Sequence, residues 1–239
     1  MQPIALSHRS IRRFKNEPVP VATLEKVAQA TSSSEFLQSF TMIQVKDLAL
    51  REQIAAISGS GDFIKGPGAL FIFVVDTHRD IQLTPKGADV ANFSNWNAFL
   101  AGVFDATLAV QNTLLAAESQ GLGGVILGSI LNDPQQMIDL LHLPDHTFPL
   151  LGLAIGVPDQ DPEAKPRLPK AAVFGVDGYP EAGGLQDYDT TLGAYYAHRS
   201  GNPRQETFTS LVVRHLTQDQ HHRNEIGAIL RRQGFILPQ

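Results

Sequence analysis

The hydrophobic residues of the chain form short apolar runs, separated by longer stretches in which apolar residues recur at helical spacing. Three runs predict strands: FTMIQVK from Phe40, ALFIFVV from Ala69 and TFPLLGLAIGVPD from Thr147. GLGGVILGSI from Gly121 predicts a loop followed by a fourth strand. The run from Ala69 is apolar on both faces, and such a strand needs cover on both sides. We therefore expect a central sheet layered between helices.

Four stretches predict helices: VATLEKVAQAT from Val21, DLALREQIAAISG from Asp47, the stretch from Asp89 to Gln120, and DPQQMIDLLHL from Asp133. In the second stretch Asp47 is placed to cap the helix and Gly59 to end it. In the fourth, Asp133 is the expected cap and Pro134 occupies the first helical position.

The stretch from Asp89 to Gln120 is unusually apolar, because only Asp105 and Glu118 are charged between Trp96 and Gln120. A helix of this composition is usually buried nearly all round. We expect it in the centre of the domain or across a subunit interface.

The composition of the chain changes after Pro158, where PDQDPEAKPRLPK forms a proline-rich, charged connection. The remaining residues contain two or three helical patterns, including EIGAILRRQG near the C-terminus. Their apolar content is thin for a separate core. The sequence thus predicts one domain over residues 1–239, with a C-terminal wrapping arm at about 159–239.

Composition narrows the function classes. The chain has 239 residues and a net charge of −5, from 19 Lys plus Arg against 24 Asp plus Glu, which argues against nonspecific nucleic-acid binding. It contains no cysteine, which excludes thiol nucleophiles, iron–sulfur ligation and cysteine-based zinc sites. The strand-forming runs are too short to span a membrane, and the N-terminus lacks an apolar run of secretory-signal length. We expect a soluble, cytoplasmic protein.

Several common catalytic motifs are missing from the sequence. The glycines from Gly121 begin a dinucleotide-binding fingerprint, but Ile126 stands where its third glycine belongs. No phosphate-binding P-loop, H-E-x-x-H or G-x-S-x-G motif occurs. His142 and His146 are separated by Pro144, which would break a helix that aligned them, so a surface pair is favoured over a metal site.

Five segments carry candidate binding chemistry. HRSIRRF from His8 combines guanidinium, imidazole and hydroxyl groups that suit a phosphate. TSSSEF from Thr31 offers hydroxyls, KPRLP from Lys165 holds two cations between prolines, and GLGGVILGSI allows close backbone approach to a flat ligand. HRSGNPRQETF from His198 is a basic loop. Taken singly, each segment also fits an ordinary exposed loop or a tight turn.

In their order and spacing, these segments resemble the FMN-dependent, oxygen-insensitive NADPH nitroreductases and the NADPH–flavin oxidoreductases of luminous bacteria. The resemblance runs from about His8 to Gly234. It implies an α+β, nitroreductase-like fold, with a central mixed β-sheet covered by helices and a C-terminal arm. It also implies a homodimer with FMN sites at the interface, and it agrees with the expectation of no nucleic-acid, membrane or metal partner.

The resemblance also implies roles for individual residues. The FMN site would be formed by His8, Arg9, Ser10, Ile11, Arg12, Ser33 from the other subunit, Gly61, Ile126, Leu127, Gly128, Ser129, Lys165 and Arg167. NADPH would be bound by Arg199, Arg204 and Arg223, and the acceptor would contact Phe36. Gly61, Ile126 and Ser129 depart from the family pattern, Gly61 standing where a family glutamine touches the flavin. These departures bear on redox potential and acceptor choice.

The implied activity is ping-pong hydride transfer from NADPH through FMN to a nitroaromatic, a quinone or a similar acceptor. No catalytic side chain is required, because the flavin carries the chemistry. The alternative is an NADPH-dependent FMN reductase that supplies free reduced flavin.

Overall fold

The computed structural model describes residues 4–180, 183–217 and 223–236. Two compact units are present. The first unit comprises Met1–Gln160 and Arg223–Gln239, and the second unit comprises Asp161–His222. The division begins close to the predicted start of the arm, but the last residues belong to the first unit. The single domain with a wrapping arm stays a prediction.

The first unit is built on a four-stranded sheet in the order β1-β2-β4-β3. Its strands are β1 (Phe40–Val45), β2 (Ala69–Asp76), β3 (Gly123–Leu127) and β4 (Thr147–Gly156). We expected a mixed sheet, but neighbouring strands pair antiparallel throughout, and a parallel pairing occurs at the isolated bridge between Ser10 and Gly124. The four predicted strands and the α+β class are confirmed. GLGGVILGSI ends in a 3-10 turn, Gly128–Asn132, rather than in further strand.

Eight α-helices are described in the first unit: α1 (Val21–Gln29), α2 (Leu48–Ser58), α3 (Gly61–Lys65), α4 (His78–Gln82), α5 (Ala91–Ser94), α6 (Trp96–Ser119), α7 (Pro134–Leu140) and the C-terminal Ile226–Arg232. The predicted caps are present. Asp47 accepts a hydrogen bond from the Leu50 amide at 2.8 Å, and Asp133 accepts one from the Gln136 amide at 2.9 Å. Gly59 ends α2 with a φ of 60°, a conformation that glycine adopts without strain.

The core lies on both faces of the sheet, because every residue of β2 is buried. Leu70, Ile72 and Val74 pack in one apolar cluster with residues of α2 and α7. Phe71 and Phe73 pack in a second cluster with residues of α1 and α6. The predicted cover on both sides of this strand is confirmed.

The long apolar helix α6 is not buried all round. Trp96, Leu100, Phe104 and Leu108 recur every four residues and are 45%, 42%, 57% and 45% exposed. We call these four residues the α6 stripe. Among the described residues, α6 is the helix long and apolar enough to cross a membrane, and half of its apolar window is buried inside the protein. Whether α6 meets another subunit stays a prediction.

The second unit contains α8 (Lys170–Val173), α9 (Leu185–His198) and α10 (Phe208–Thr217), and we number the C-terminal helix Ile226–Arg232 of the first unit α11. The small apolar cluster of the second unit consists of Tyr188, Leu192 and Tyr196, with Leu168 and Phe208 packed against them. The helical patterns predicted beyond Pro158 are therefore confirmed.

Candidate functional site

The N-terminal segment lies along the edge strand β3. Ser10 forms a bridge with Gly124, and the Ile11 amide donates to the Gly124 carbonyl at 3.0 Å. A Cβ at Gly123 would lie 2.5 Å from Ile11 Cγ1, so the close approach requires glycine. The Ile11 amide and its buried side chain are both engaged inside the protein. Ile11 therefore anchors the segment, and its neighbours present the polar groups.

His8 and Arg12 occupy different surroundings on this segment. His8 Nδ1 lies 2.5 Å from Oε1 of Glu118, a carboxylate at the end of α6 whose side chain is only 9% exposed. Arg12 is exposed and lines a cavity of about 260 Å³ together with Asp62 and Asp159. Arg9 is also exposed. The segment thus combines two exposed arginine residues with a histidine that a largely buried carboxylate orients.

The turn after β3 meets the start of α3. Ser129 Oγ lies 2.9 Å from Ser58 Oγ and 3.3 Å from Ser60 Oγ. A Cβ built on Gly61 or on Gly128 would meet no atom within 4 Å, so open space adjoins both glycines. We call the group Ser58, Ser60, Gly61, Gly128 and Ser129 the serine–glycine cluster.

Arg223 reaches the same cluster, because its Nη2 donates to the Gly128 carbonyl at 3.0 Å. Its φ is 54°, in the left-handed region that non-glycine residues seldom adopt. We predicted Arg223 as an NADPH-binding residue. The structure places it beside one of the predicted flavin-binding residues.

Ile126 and Leu127, at the end of β3, point to opposite faces of the sheet. Leu127 is buried and its side chain packs against Gly152. Ile126 is 36% exposed. Of these two predicted flavin-site residues, only Ile126 therefore presents its side chain to solvent, and Leu127 has only main-chain groups to offer.

Ser33 and Phe36 lie in the loop between α1 and β1. Ser33 Oγ donates to Asp105 Oδ2 at 2.6 Å and accepts from the Gln38 amide at 2.7 Å. Phe36 is 80% exposed and lies on the wall of a cavity of about 680 Å³ beside β1. Glu35, Phe36 and Gln38 all have positive φ values, between 51° and 59°. Such a run is strained and persists only where other contacts hold it.

The cations predicted in the second unit converge on one ring. Lys165, Arg199 and Arg204 all lie within 5.4 Å of the centroid of Tyr196, a buried residue of α9. Arg167 is exposed and lines a cavity of about 410 Å³ between α9 and α10. The predicted FMN cation Lys165 is therefore close to the two predicted NADPH arginines.

The sequence motifs did not reveal the acidic and aromatic partners of the predicted residues. Asp105 and Glu118 stood out in the sequence as the isolated charges of an apolar helix, and both prove to hold predicted residues. Glu206 lies two positions after Arg204 and binds it. Within the described residues, no group of three His, Cys, Asp or Glu side chains could hold a metal ion.

Comparison with known proteins identifies relatives that align with nearly the whole chain. The nitroreductase family profile matches residues 5–157, and the profile of the nitroreductase family C-terminal domain matches residues 165–238. An oxygen-insensitive NADPH nitroreductase of Salmonella typhimurium is 37% identical, over 95% of each chain. An FMN reductase (NADPH) of Bacillus subtilis is 33% identical, over 96% of each chain. A solved structure of the NADPH:FMN oxidoreductase from Vibrio harveyi, complexed with NAD+, is 34% identical with a TM-score of 0.83, covering 98% of this chain and 96% of that one.

Proposed function

The chain belongs to the nitroreductase family, and from this premise we propose that it is an FMN-dependent NADPH oxidoreductase that reduces nitroaromatics, quinones or similar acceptors by two electrons. The observation that carries the proposal is the course of β3, which pairs with the N-terminal segment at Gly124 and ends beside the serine–glycine cluster. The anchored N-terminal segment, with its exposed arginines, thus runs along the strand that leads into this cluster.

The residues present fit FMN. Open space adjoins Gly61 and Gly128, where a flat ring needs close backbone approach, and hydroxyl groups of Ser58, Ser60 and Ser129 line the same place. Arg9 and Arg12 offer the guanidinium groups that suit a phosphate. We assign His8, Ser10, Ile126 and main-chain groups of Leu127 to the same site, and we keep Lys165 and Arg167 as predicted FMN cations. Ser33 would come from the other subunit of a homodimer.

FMN, when bound, supplies the two-electron redox chemistry, and the protein supplies binding, orientation and charge. Arg12 or Lys165 would offset negative charge that develops on the ring. NADPH and the acceptor use the same place in turn, in a ping-pong scheme. Arg199 and Arg204 take the phosphate that distinguishes NADPH from NADH, and Phe36 contacts the acceptor.

A homodimer is supported by the α6 stripe, since a row of exposed large apolar side chains marks an interaction surface more often than a solvated face. We propose that the protein acts in the cytoplasm on small molecules.

The test is an anaerobic visible spectrum of the purified protein, before and after one equivalent of NADPH or of NADH. Flavin absorbance at about 450 nm should decrease quickly with NADPH and slowly with NADH. A colourless protein that takes up no added FMN would contradict the proposal, and bound flavin that NADPH leaves oxidised would indicate a binding protein without turnover.

Steady-state rates with free FMN and with a nitroaromatic then separate the two activities. A much higher kcat/KM for free FMN would favour the alternative of an FMN reductase, which the names of the Bacillus and Vibrio relatives support.

A further inference from the structure

A buried aromatic ring gathers three cations in the second unit. The Tyr196 centroid lies 4.2 Å from Arg204 Cζ, 4.9 Å from Arg199 Cζ and 5.4 Å from Lys165 Nζ. The Arg204 amide also donates to the Tyr196 carbonyl at 2.8 Å. The ring attracts cations electrostatically, but three like charges around one ring repel each other. Something further must fix each guanidinium in place.

Glu206 supplies that contact for Arg204. Glu206 is only 5% exposed, and its Oε2 accepts from Arg204 Nε at 2.5 Å while Arg204 Nη2 also lies against it. Its other oxygen accepts from Arg214 Nη1. Burial opposes the charge of Glu206, but the hydrogen bonds and charges of Arg204 and Arg214 outweigh it and hold the pKa of the carboxyl below its usual range. The group is therefore ionised at neutral pH.

The guanidinium of Arg204 is thus fixed from two directions. The carboxylate engages the Nε–Nη2 edge, the Tyr196 ring lies against the guanidinium, and Nη1 is left outside the Glu206 contact. Lys165, Arg199 and Arg204 carry three positive charges around the ring, against the carboxylate of Glu206, which also binds Arg214, and that of Glu163, whose charge interacts with Arg199. The cluster therefore keeps a positive surplus that suits a phosphate.

We propose that Glu206 is a positioning residue for nucleotide selection: by holding Arg204 against Tyr196, it orients the guanidinium toward the 2′-phosphate of NADPH. This inference rests on the proposed function, in which Arg204 binds that phosphate. Glu206 itself does not touch the nucleotide. Its effect on discrimination between NADPH and NADH comes from geometry, because its own charge opposes an anion.

The negative charge of Glu206 makes its two possible roles distinguishable, because they change the KM for NADPH in opposite directions. If Glu206 only neutralised the cluster, Glu206→Gln would strengthen phosphate binding and lower the KM for NADPH. Because it positions Arg204, we expect the KM for NADPH to rise about fivefold or more, with the KM for NADH and kcat changed less than about twofold. The measurement is steady-state kinetics of the FMN-loaded protein with each nucleotide. An unchanged or lowered KM for NADPH, or an equal rise with NADH, would overturn the proposal.

Two variants guard against a purely structural effect. Asp189→Asn is the matched control, since Asp189 of α9 accepts a hydrogen bond from the Thr209 amide at 2.8 Å in the same unit. We expect it to leave the NADPH/NADH ratio of KM values unchanged. Glu206→Asp keeps the buried charge but shortens the side chain, so it keeps the neutralisation and moves Arg204. It should raise the KM for NADPH as well, and an unchanged value would count against positioning.

A double-mutant cycle separates this inference from the proposed function. If Arg204 binds the phosphate, Arg204→Ala alone raises the KM for NADPH and spares NADH. Glu206→Gln should then add no further change in that background. If Arg204→Ala leaves the ratio unchanged, the assignment of Arg204 fails and the role of Glu206 fails with it. If Arg204→Ala acts as expected but Glu206→Gln adds its full effect on top, only the positioning role is wrong.

Discussion

The hydroxyl of Ser33 donates to the buried carboxylate of Asp105 at 2.6 Å, and this contact ties a strained loop to the long helix α6. Asp105 is 1% exposed and also accepts from the amides of Ser34 at 3.3 Å and Ser39 at 2.9 Å. Three donors thus converge on one side chain. Together these three hydrogen bonds offset the conformational strain of the left-handed backbone at Glu35 and Phe36.

Replacing this carboxylate should loosen the loop. Asp105→Asn turns one acceptor into a donor that faces other donors, and we expect the free energy of unfolding to fall by about 2 kcal/mol. Urea unfolding checks this value. Asp139→Asn is the control, because Asp139 is exposed and its carboxylate accepts from the Gln135 side chain at 3.1 Å within α7. Equal losses in the two variants would contradict the role given to Asp105.

The histidine that packs on the C-terminal segment should make stability depend on pH. Burial lowers the pKa of His146, an effect that outweighs the opposing charge of Asp145, so the folded protein favours the neutral ring. The unfolded chain binds the proton at its ordinary pKa of about 6.5. The contribution of His146 to stability is therefore complete above pH 6.5 and lost as pH falls through the lower, folded value.

His146→Asn should accordingly flatten part of the fall in Tm between about pH 7 and pH 5. Asparagine tolerates the left-handed backbone at this position, where φ is 62°. The matched control is His142→Asn, at an exposed histidine with a φ of 50°. A control that flattens the curve equally would show that the effect does not come from His146.

Two glycines of the site region should respond oppositely to alanine. At Gly124 the added Cβ would lie 2.8 Å from the Ala154 carbonyl oxygen and 2.9 Å from Leu114 Cδ1, whereas at Gly61 it meets nothing within 4 Å. We expect Gly124→Ala to cost about 2 kcal/mol of stability, through overpacking. Gly61→Ala should leave stability unchanged or raise it by up to about 1 kcal/mol, since Gly61 begins a helix. Thermal unfolding of both variants tests the contrast.

The carboxylate behind His8 should affect retention of FMN. Glu118 Oε1 lies 2.5 Å from His8 Nδ1, and its other oxygen is buried with no hydrogen-bond partner among the residues that the structure describes. Glu118→Gln removes the charge that orients the His8 imidazole. We expect the Kd for FMN to rise about tenfold, as for loss of one charge-assisted hydrogen bond.

Fluorescence titration of the FMN-free protein measures that change. Glu17→Gln, at an exposed residue of the same N-terminal region, is the control and should leave the Kd unchanged. An unaltered Kd in Glu118→Gln would remove His8 from the binding site or show that Glu118 does not orient it.

Local pattern was sufficient to predict the four strands and the longer helices of the first unit, but not the short helices α3 and α4. The strand at Ala69–Asp76 and the caps at Asp47 and Asp133 depend on neighbours in sequence, and all three are present. The sheet order and its antiparallel pairing depend on distant segments, so the chain alone could not specify them.

The same distinction applies to the site. The arginines of HRSGNPRQETF were visible as a motif, because a basic loop is a local feature. The partners that orient predicted residues were not, since His8 and Glu118 are 110 positions apart and Ser33 and Asp105 are 72 apart. Two lone charges in an apolar helix were the available signal, and burial of a charge without a partner is costly enough to suggest one. The signal shows that a partner exists without showing which residue it is.

The loop that carries Phe36 separates two requirements that usually conflict in evolution. Its backbone is fixed by a buried carboxylate, while the aromatic side chain itself projects into solvent and packs in no core. Exchange of that side chain leaves the interior intact, so if Phe36 contacts the acceptor as proposed, descendants of this protein can sample new acceptors at little risk to folding. Change at Asp105 has no such freedom. Diversity among natural or laboratory variants should therefore accumulate at the tip of the loop and remain rare at its anchor.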